Sequence, residues 1–172
     1  MTSTVSITTA ATLDVALLDA AGLQPGARVL DVGCGRGDTT LDAARRVGPS
    51  GLALGVDDSL DVLEEARRRA ADAGLAHVGF VHADAQTQRF APLRFHAIVS
   101  RRSHQVFADP EAGFTNLLGA LRSGGRLAVV GRDEPDGVHA VLARVGFVDV
   151  SRIALEADDA GPVWLVRAGR RD

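Results

Sequence analysis

The chain has 172 residues, 46% of them apolar and 24% charged, with a formal net charge of −3. That length supports one ordinary core, and so mild a charge balance gives no electrostatic reason to expect nucleic acid or an anionic membrane as partner. Lysine and tyrosine are absent and Cys34 is the lone cysteine, which excludes a lysine base or Schiff base, a tyrosine acid, an intrachain disulfide and a cysteine-rich metal site in this chain.

Met1 to Ala10 is rich in Thr and Ser, with neither a basic start nor a long apolar run; a frayed leader is expected, and neither a signal peptide nor a spanning helix. Leu13, Ala16, Leu17 and Ala20 recur at helical spacing up to Gly22, and Pro25-Gly26 turns the chain. Val29-Leu30-Asp31-Val32 reads as a core strand of a parallel sheet, breaking into Gly33-Cys34-Gly35-Arg36-Gly37. Asp38 to Val47 follows as a helix stopped by Gly48-Pro49. Strand, glycine loop and helix together are a ligand holder: glycine lets backbone approach closely, and the helix start offers unpaired N–H groups.

A second strand, Gly51 to Asp57, ends in Asp57 and Asp58, and the helix Leu60 to Ala73 is closed by Gly74. Its Arg67, Arg68 and Arg69 splay over a wide arc beside Glu64 and Glu65, as a solvated face does. Val78 to His82 is a third strand, followed by Ala83-Asp84-Ala85, and Phe95 to Ser100 a fourth. Asp109-Pro110-Glu111 supplies cap, first-turn proline and acid for a helix with Phe114, Leu117, Leu118 and Leu121 on one face, ended by Ser123-Gly124-Gly125. Arg126 to Gly131 is the fifth strand; a helix through Val138, Val141, Leu142 and Val145 is closed by Gly146. Phe147 to Leu155 and Val163 to Val166 pair as an antiparallel hairpin about a turn at 158–162. Alternating strands and helices of this kind predict a three-layer α/β domain covering residues 1–172.

Which ligand is held depends on the spacing. A dinucleotide fingerprint places its third glycine where Asp38 stands, and an acid there would repel a pyrophosphate. The pattern is instead G-x-G-x-G, with Asp31 two residues before the first glycine. This stretch resembles motif I of the class I, seven-strand S-adenosylmethionine-dependent methyltransferases, and the resemblance runs from about Val29 to Val130. It implies a doubly wound, mostly parallel seven-stranded sheet with an antiparallel C-terminal hairpin. The cofactor it implies is S-adenosyl-L-methionine.

Asp57 lies about 20 residues past the glycine loop at a strand's carboxyl end, where an acid accepts from vicinal ribose hydroxyls. The resemblance gives it that role, with Ser59 left as the helix cap. By the same resemblance Asp84, with the next backbone N–H at Ala85, takes the adenine edge, and Asp31 holds the donor's amino end. Gly33, Cys34, Gly35, Gly37, Asp58 and Ser100 complete the expected cofactor set, Cys34 as a small packing residue and not a nucleophile.

Ser100-Arg101 and Phe107-Ala108-Asp109-Pro110 resemble the small-molecule branch of that family, which includes quinone-ring methyltransferases. His96 and Arg102-Ser103-His104-Gln105 depart from its pattern, and the absence of an Asn-Pro-Pro-aromatic motif disfavours amino methylation of DNA bases. Methyl transfer is an in-line displacement that needs positioning and dryness more than catalytic side chains. For a hydroxyl acceptor a base helps, and His104 is the candidate. Arg101 or Arg102 could bind an anionic substrate, and Asp133 and Glu134 are further candidates. His77, His96 and His139 are too scattered for a metal pattern, so no metal is expected.

The expected function is methylation of an O, N or C atom of a small molecule in the cytoplasm. Two alternatives stand beside it: a non-catalytic, cofactor-binding partner subunit, or an enzyme of this fold doing non-methylating chemistry such as cyclisation. Gly131 to Asp136 leaves room only for a short turn and not for a helical lid, so a closing loop or a homodimer is expected to cover the substrate.

Overall fold

A computed structural model of the chain describes residues 4–6, 10–90, 94–101, 107–132, 135–156 and 163–171. In chain order these form β1 (Thr4–Ser6), α1 (Ala10–Ala21), β2 (Arg28–Val32), α2 (Asp38–Val47), β3 (Leu52–Asp57), α3 (Leu60–Asp72) and β4 (Val78–His82). There follow β5 (Phe95–Arg101), α4 (Pro110–Ala120), β6 (Leu121–Gly131), α5 (Pro135–Val145), β7 (Val148–Glu156) and β8 (Val163–Gly169). One sheet holds all the strands in the order β1-β7-β8-β6-β5-β2-β3-β4. Its pairs are parallel except those of β8, antiparallel to both β6 and β7.

Alternation along each strand sends side chains to two separate cores. Val29, Ala53, Ala97, Val99 and Ala128 pack with Leu13, Leu17 and Leu18 of α1 and Ala43, Ala44 and Val47 of α2. Leu30, Val32, Ile98, Leu127 and Val129 pack on the other face with Phe114 and Leu117 of α4 and Leu142 of α5. Burying each Val, Leu, Ile or Phe side chain among them stabilises by about 1.5–3 kcal/mol, and with both faces buried the central strands read as largely apolar runs. α3 lies on the α2 side: a Cβ added at Gly37 would meet Ala66 of α3 at 3.2 Å and Phe80 of β4 at 3.1 Å. The three expected layers are therefore present.

From β2 the chain steps outward through β3 to β4, then returns past β2 to β5. Strand order thus reverses between β2 and β5, and at such a switch point the connections diverge and leave a crevice at the strands' carboxyl ends.

Two expectations are corrected. Thr4–Ser6 of the supposed leader form β1, parallel to Ala154–Glu156 of β7, because an outer strand's unpaired N–H and C=O groups recruit a partner. Ser123-Gly124-Gly125 does not end α4. The helix stops at Ala120, Leu121 already pairs with Phe95, and the register then shifts before Ala97 meets Arg126. The α3 arginines lie on a solvated face as expected, Arg67 and Arg68 exposed and Arg69 half-buried; Arg67 also donates to the Phe80 carbonyl (3.1 Å), and Arg69 to the Arg36 carbonyl (2.8 Å) and Asp38 (2.6 Å). The β7–β8 hairpin pairs as expected, while its turn lies outside the described residues.

Candidate functional site

A cavity of about 370 Å³ opens at the carboxyl ends of β2, β3 and β4. Gly33, Asp57, Asp58, Asp84, Ala85 and Phe107 are among the residues that line it. Its size suits a small-molecule ligand, for which pockets of about 300–1,000 Å³ are usual.

The glycine loop takes its shape from three left-handed residues, Gly33 (φ 69°), Gly35 (φ 52°) and Gly37 (φ 85°), conformations that a Cβ disfavours. Its amides are turned inward. Gly33 and Cys34 donate to the Val56 carbonyl (2.8 and 3.1 Å), Gly37 to the Cys34 carbonyl (2.9 Å), and Gly35 to Asp57 Oδ2 (2.9 Å). These four loop amides are thus spent inside the protein, while the expectation of unpaired N–H groups concerned the start of α2. What the loop offers is close backbone approach and a fixed tie to Asp57.

Asp57, the last residue of β3, takes that bond on one oxygen and the Ser59 N–H (3.0 Å) on the other. Ser59 stands at the N-cap of α3 but makes no side-chain cap bond, so the capping expected of it is not made, and its own N–H is the one that Asp57 accepts. Each Asp57 oxygen keeps a lone pair for the cavity it lines. Asp58 also lines the cavity, and its carbonyl accepts from His82 Nε2 (3.0 Å). Exposed Asp84, also on the cavity lining, accepts the Gln86 backbone N–H at Oδ1 (2.8 Å), and Ala85 next to it is buried.

Asp31 is placed differently. It is 2% exposed, accepts from Thr40 Oγ1 (2.6 Å) and is pushed up to about 7, by burial first and then by the charge of Asp14, against the opposing Thr40 hydrogen bond. Cys34 is a buried packing residue and is not among the residues lining the cavity. The Sγ lies where β3 has no side chain, 2.7 Å from the place of a Cβ on Gly55, and burial pushes the thiol pKa up. Ser100 ends fully buried, and its Oγ is without a hydrogen-bond partner among the described residues.

Arg101 is an internal counterion: its Nε lies 3.3 Å from Asp14 of α1, whose carboxylate accepts Thr39 Oγ1 (2.7 Å). Asp14, Thr39, Thr40, Gln86 and Asn116 were missed by sequence reasoning. For Asp14 a signal existed, since it lies at helical spacing from Leu17 and Leu18 on the buried face of α1. His104, Arg102, Asp133 and Glu134 lie outside the described residues.

A family model described as a methyltransferase domain matches residues 23–142, spanning the cavity walls and the glycine loop. The chain belongs to this methyltransferase-domain family. It is 34% identical over 144 residues to the nocamycin O-methyltransferase of Saccharothrix syringae, covering 82% of this chain and 51% of that protein. To the ubiquinone/menaquinone biosynthesis C-methyltransferase UbiE of Azotobacter vinelandii it is 35% identical over 129 residues, covering 74% and 50%. The chain thus spans about half the length of the curated relatives it matches. Among solved structures it resembles the [4+2]-cyclase SpnF, with a TM-score of 0.83 at 18% identity over 92% of this chain and 80% of that one, a likeness of fold. Among the described residues no helix is long and apolar enough to cross a membrane.

Proposed function

We propose that this methyltransferase domain binds S-adenosylmethionine and methylates a small-molecule acceptor. The observation that carries the reading is the pair of acids, Asp57 and Asp84, at the ends of adjacent strands and both lining one cavity, with the glycine loop tied to the first. A nucleoside presents vicinal hydroxyls at one end and an exocyclic amino group at the other, and two carboxylates so placed match that pattern. The donor set fits: Asp57 would accept from the ribose, Asp84 from the base, and Ala83, Ala85 and Phe107 would cover the apolar base faces. Asp31 supports the loop through Thr40 and is not itself on the cavity wall.

Bound S-adenosylmethionine supplies an electrophilic sulfonium methyl group. The chain's task is to orient that ligand and the acceptor and to exclude water. His104, in the segment between β5 and α4, is our candidate to take the proton of a hydroxyl acceptor. Relatives named as O- and C-methyltransferases leave the acceptor atom open. A fold shared with a cyclase gives no preference between transfer and cyclisation, so the proposal stands on the site. A free, buried Cys34 is compatible with a reducing, cytoplasmic setting, and a homodimer or a closing segment would cover the cavity mouth.

Calorimetric titration with S-adenosylmethionine, S-adenosylhomocysteine and NADH tests the reading. Binding of the two adenosyl ligands and not of NADH is expected; no adenosyl binding sinks it and favours a partner-subunit role. In a turnover assay His104→Ala should keep cofactor affinity and lose rate, and unchanged turnover removes His104 as base.

A further inference from the structure

The base-side wall of the cavity is strapped to α4 by two side-chain amides that the proposed function leaves unused. Asn116 of α4 donates from Nδ2 to the carbonyls of Ala85 and Gln88, 2.8 Å each. Gln86 reaches the segment before that helix. Its Nε2 donates to Asp84 Oδ1 (3.2 Å), and its Oε1 accepts the Asp109 N–H (3.1 Å). Asp109 then caps α4 by accepting the Ala112 N–H (3.0 Å). Two residues earlier, Phe107 lines the cavity and rests on Gly113, where a Cβ would come within 2.5 Å of its ring. Phe107 also meets Phe114 edge-on, with centroids 5.7 Å apart.

We propose that Gln86 is a positioning residue that couples ligand binding at Asp84 to the placing of Phe107 and the start of α4. This rests on the proposed function, in which Asp84 receives the ligand's base. A carboxamide is planar and rigid, so its donor and acceptor turn together. A ligand donor arriving at Asp84 meets the carboxylate that Gln86 Nε2 already occupies with its long bond, and any turn of that amide moves the acceptor of the Asp109 N–H. The far end of the same chain of bonds sets the aromatic wall of the cavity. Asn116 holds the loop's carbonyls throughout, so the response is confined to the Gln86 side.

Hydrogen exchange of the full chain, free and saturated with S-adenosylhomocysteine, tests the coupling over the amides of residues 107–112, of which Pro110 has none. The ligand should slow exchange there in the wild type. Gln86→Leu should abolish this ligand-dependent difference while binding weakens roughly two- to tenfold, the loss of about one hydrogen bond. A merely structural Gln86 would speed exchange in both states and leave the difference intact, and that result overturns the proposal. Gln86→Glu keeps the acceptor for Asp109 but opposes Asp84 with a second carboxylate; it replaces Gln86→Leu should that variant not fold, with the same loss expected. Wild-type protein that binds the ligand without slowing at 107–112 overturns the coupling alone, whereas absence of binding removes the proposed function and the coupling with it.

Discussion

Asp31 and Asp57 are acids near the carboxyl ends of neighbouring strands, and their surroundings are opposite. Asp57 ends β3 at the cavity, its two oxygens each taking one backbone N–H. Asp31, opposite Gly55 in the same ladder, points beneath α2, where Thr40 is its partner and Asp14 its charged neighbour. Two more residues along the ladder, from the level of Asp31 to that of Asp57, turn a buried support into a candidate ligand group. In a parallel sheet, distance from the strand end and the face a side chain takes decide whether an acid meets solvent or core.

The largest expected effect tests the buried member. An unfolded Asp ionises near pH 4, whereas Asp31 holds its proton to about 7. Between those values the native state binds a proton that the unfolded state does not, so wild-type stability falls as pH rises. The slope from this one group is up to about 1.4 kcal/mol per pH unit. Asp31→Asn, which still accepts from Thr40, should flatten urea-melt stability between pH 4 and pH 7. A slope equal to that of the wild type would mean that Asp31 is not the buried acid described. Asp57→Ala tests the exposed member: adenosyl-ligand affinity should fall by about 1–3 kcal/mol, the loss of charged hydrogen bonds, while Asp31→Asn leaves binding largely in place. Calorimetry that ranks the two the other way breaks the comparison.

The packing between the two acids has its own test. A Cβ on Gly55 would sit 2.7 Å from Cys34 Sγ and 2.8 Å from the Phe80 ring, so Gly55→Ala overpacks the back of the glycine loop. We expect a destabilisation of about 1–3 kcal/mol by chemical denaturation. An unchanged midpoint would show that Cys34 is not wedged there.

Most of the sheet was legible because the central strands are buried on both faces and punctuated by glycine, and α2 spans Asp38–Val47 as the stop signals predict. Asp57 and Asp84 were legible as acids just past apolar runs. Long-range partners were not. Thr4–Ser6 became a strand only because β7, some 150 residues later, offers its edge. Gln86 and Asn116 look like any loop and helix amide until α4 is laid beside the 84–88 segment. Arg101 gave no sign that its charge would be spent on Asp14, since that contact joins the end of β5 to α1.

The smallest effect separates neighbours within one arginine run. Arg68 pairs with Glu65 at i,i+3 on the outside of α3, with side chains 68% and 35% exposed. Such a pair is screened by water and salt, and Arg68→Ala should shift stability by no more than about 0.5 kcal/mol. Arg69, one residue on, reaches across to the Arg36 carbonyl and Asp38, and so braces the glycine loop against α3. Its removal frees a loop that also orients Asp57, so Arg69→Ala should cost more, up to about 1 kcal/mol, and should weaken adenosyl-ligand binding, which Arg68→Ala should not. Equal effects on binding would place the bracing of the loop in its own Gly33, Cys34 and Gly35 bonds, with α3 no more than a neighbour.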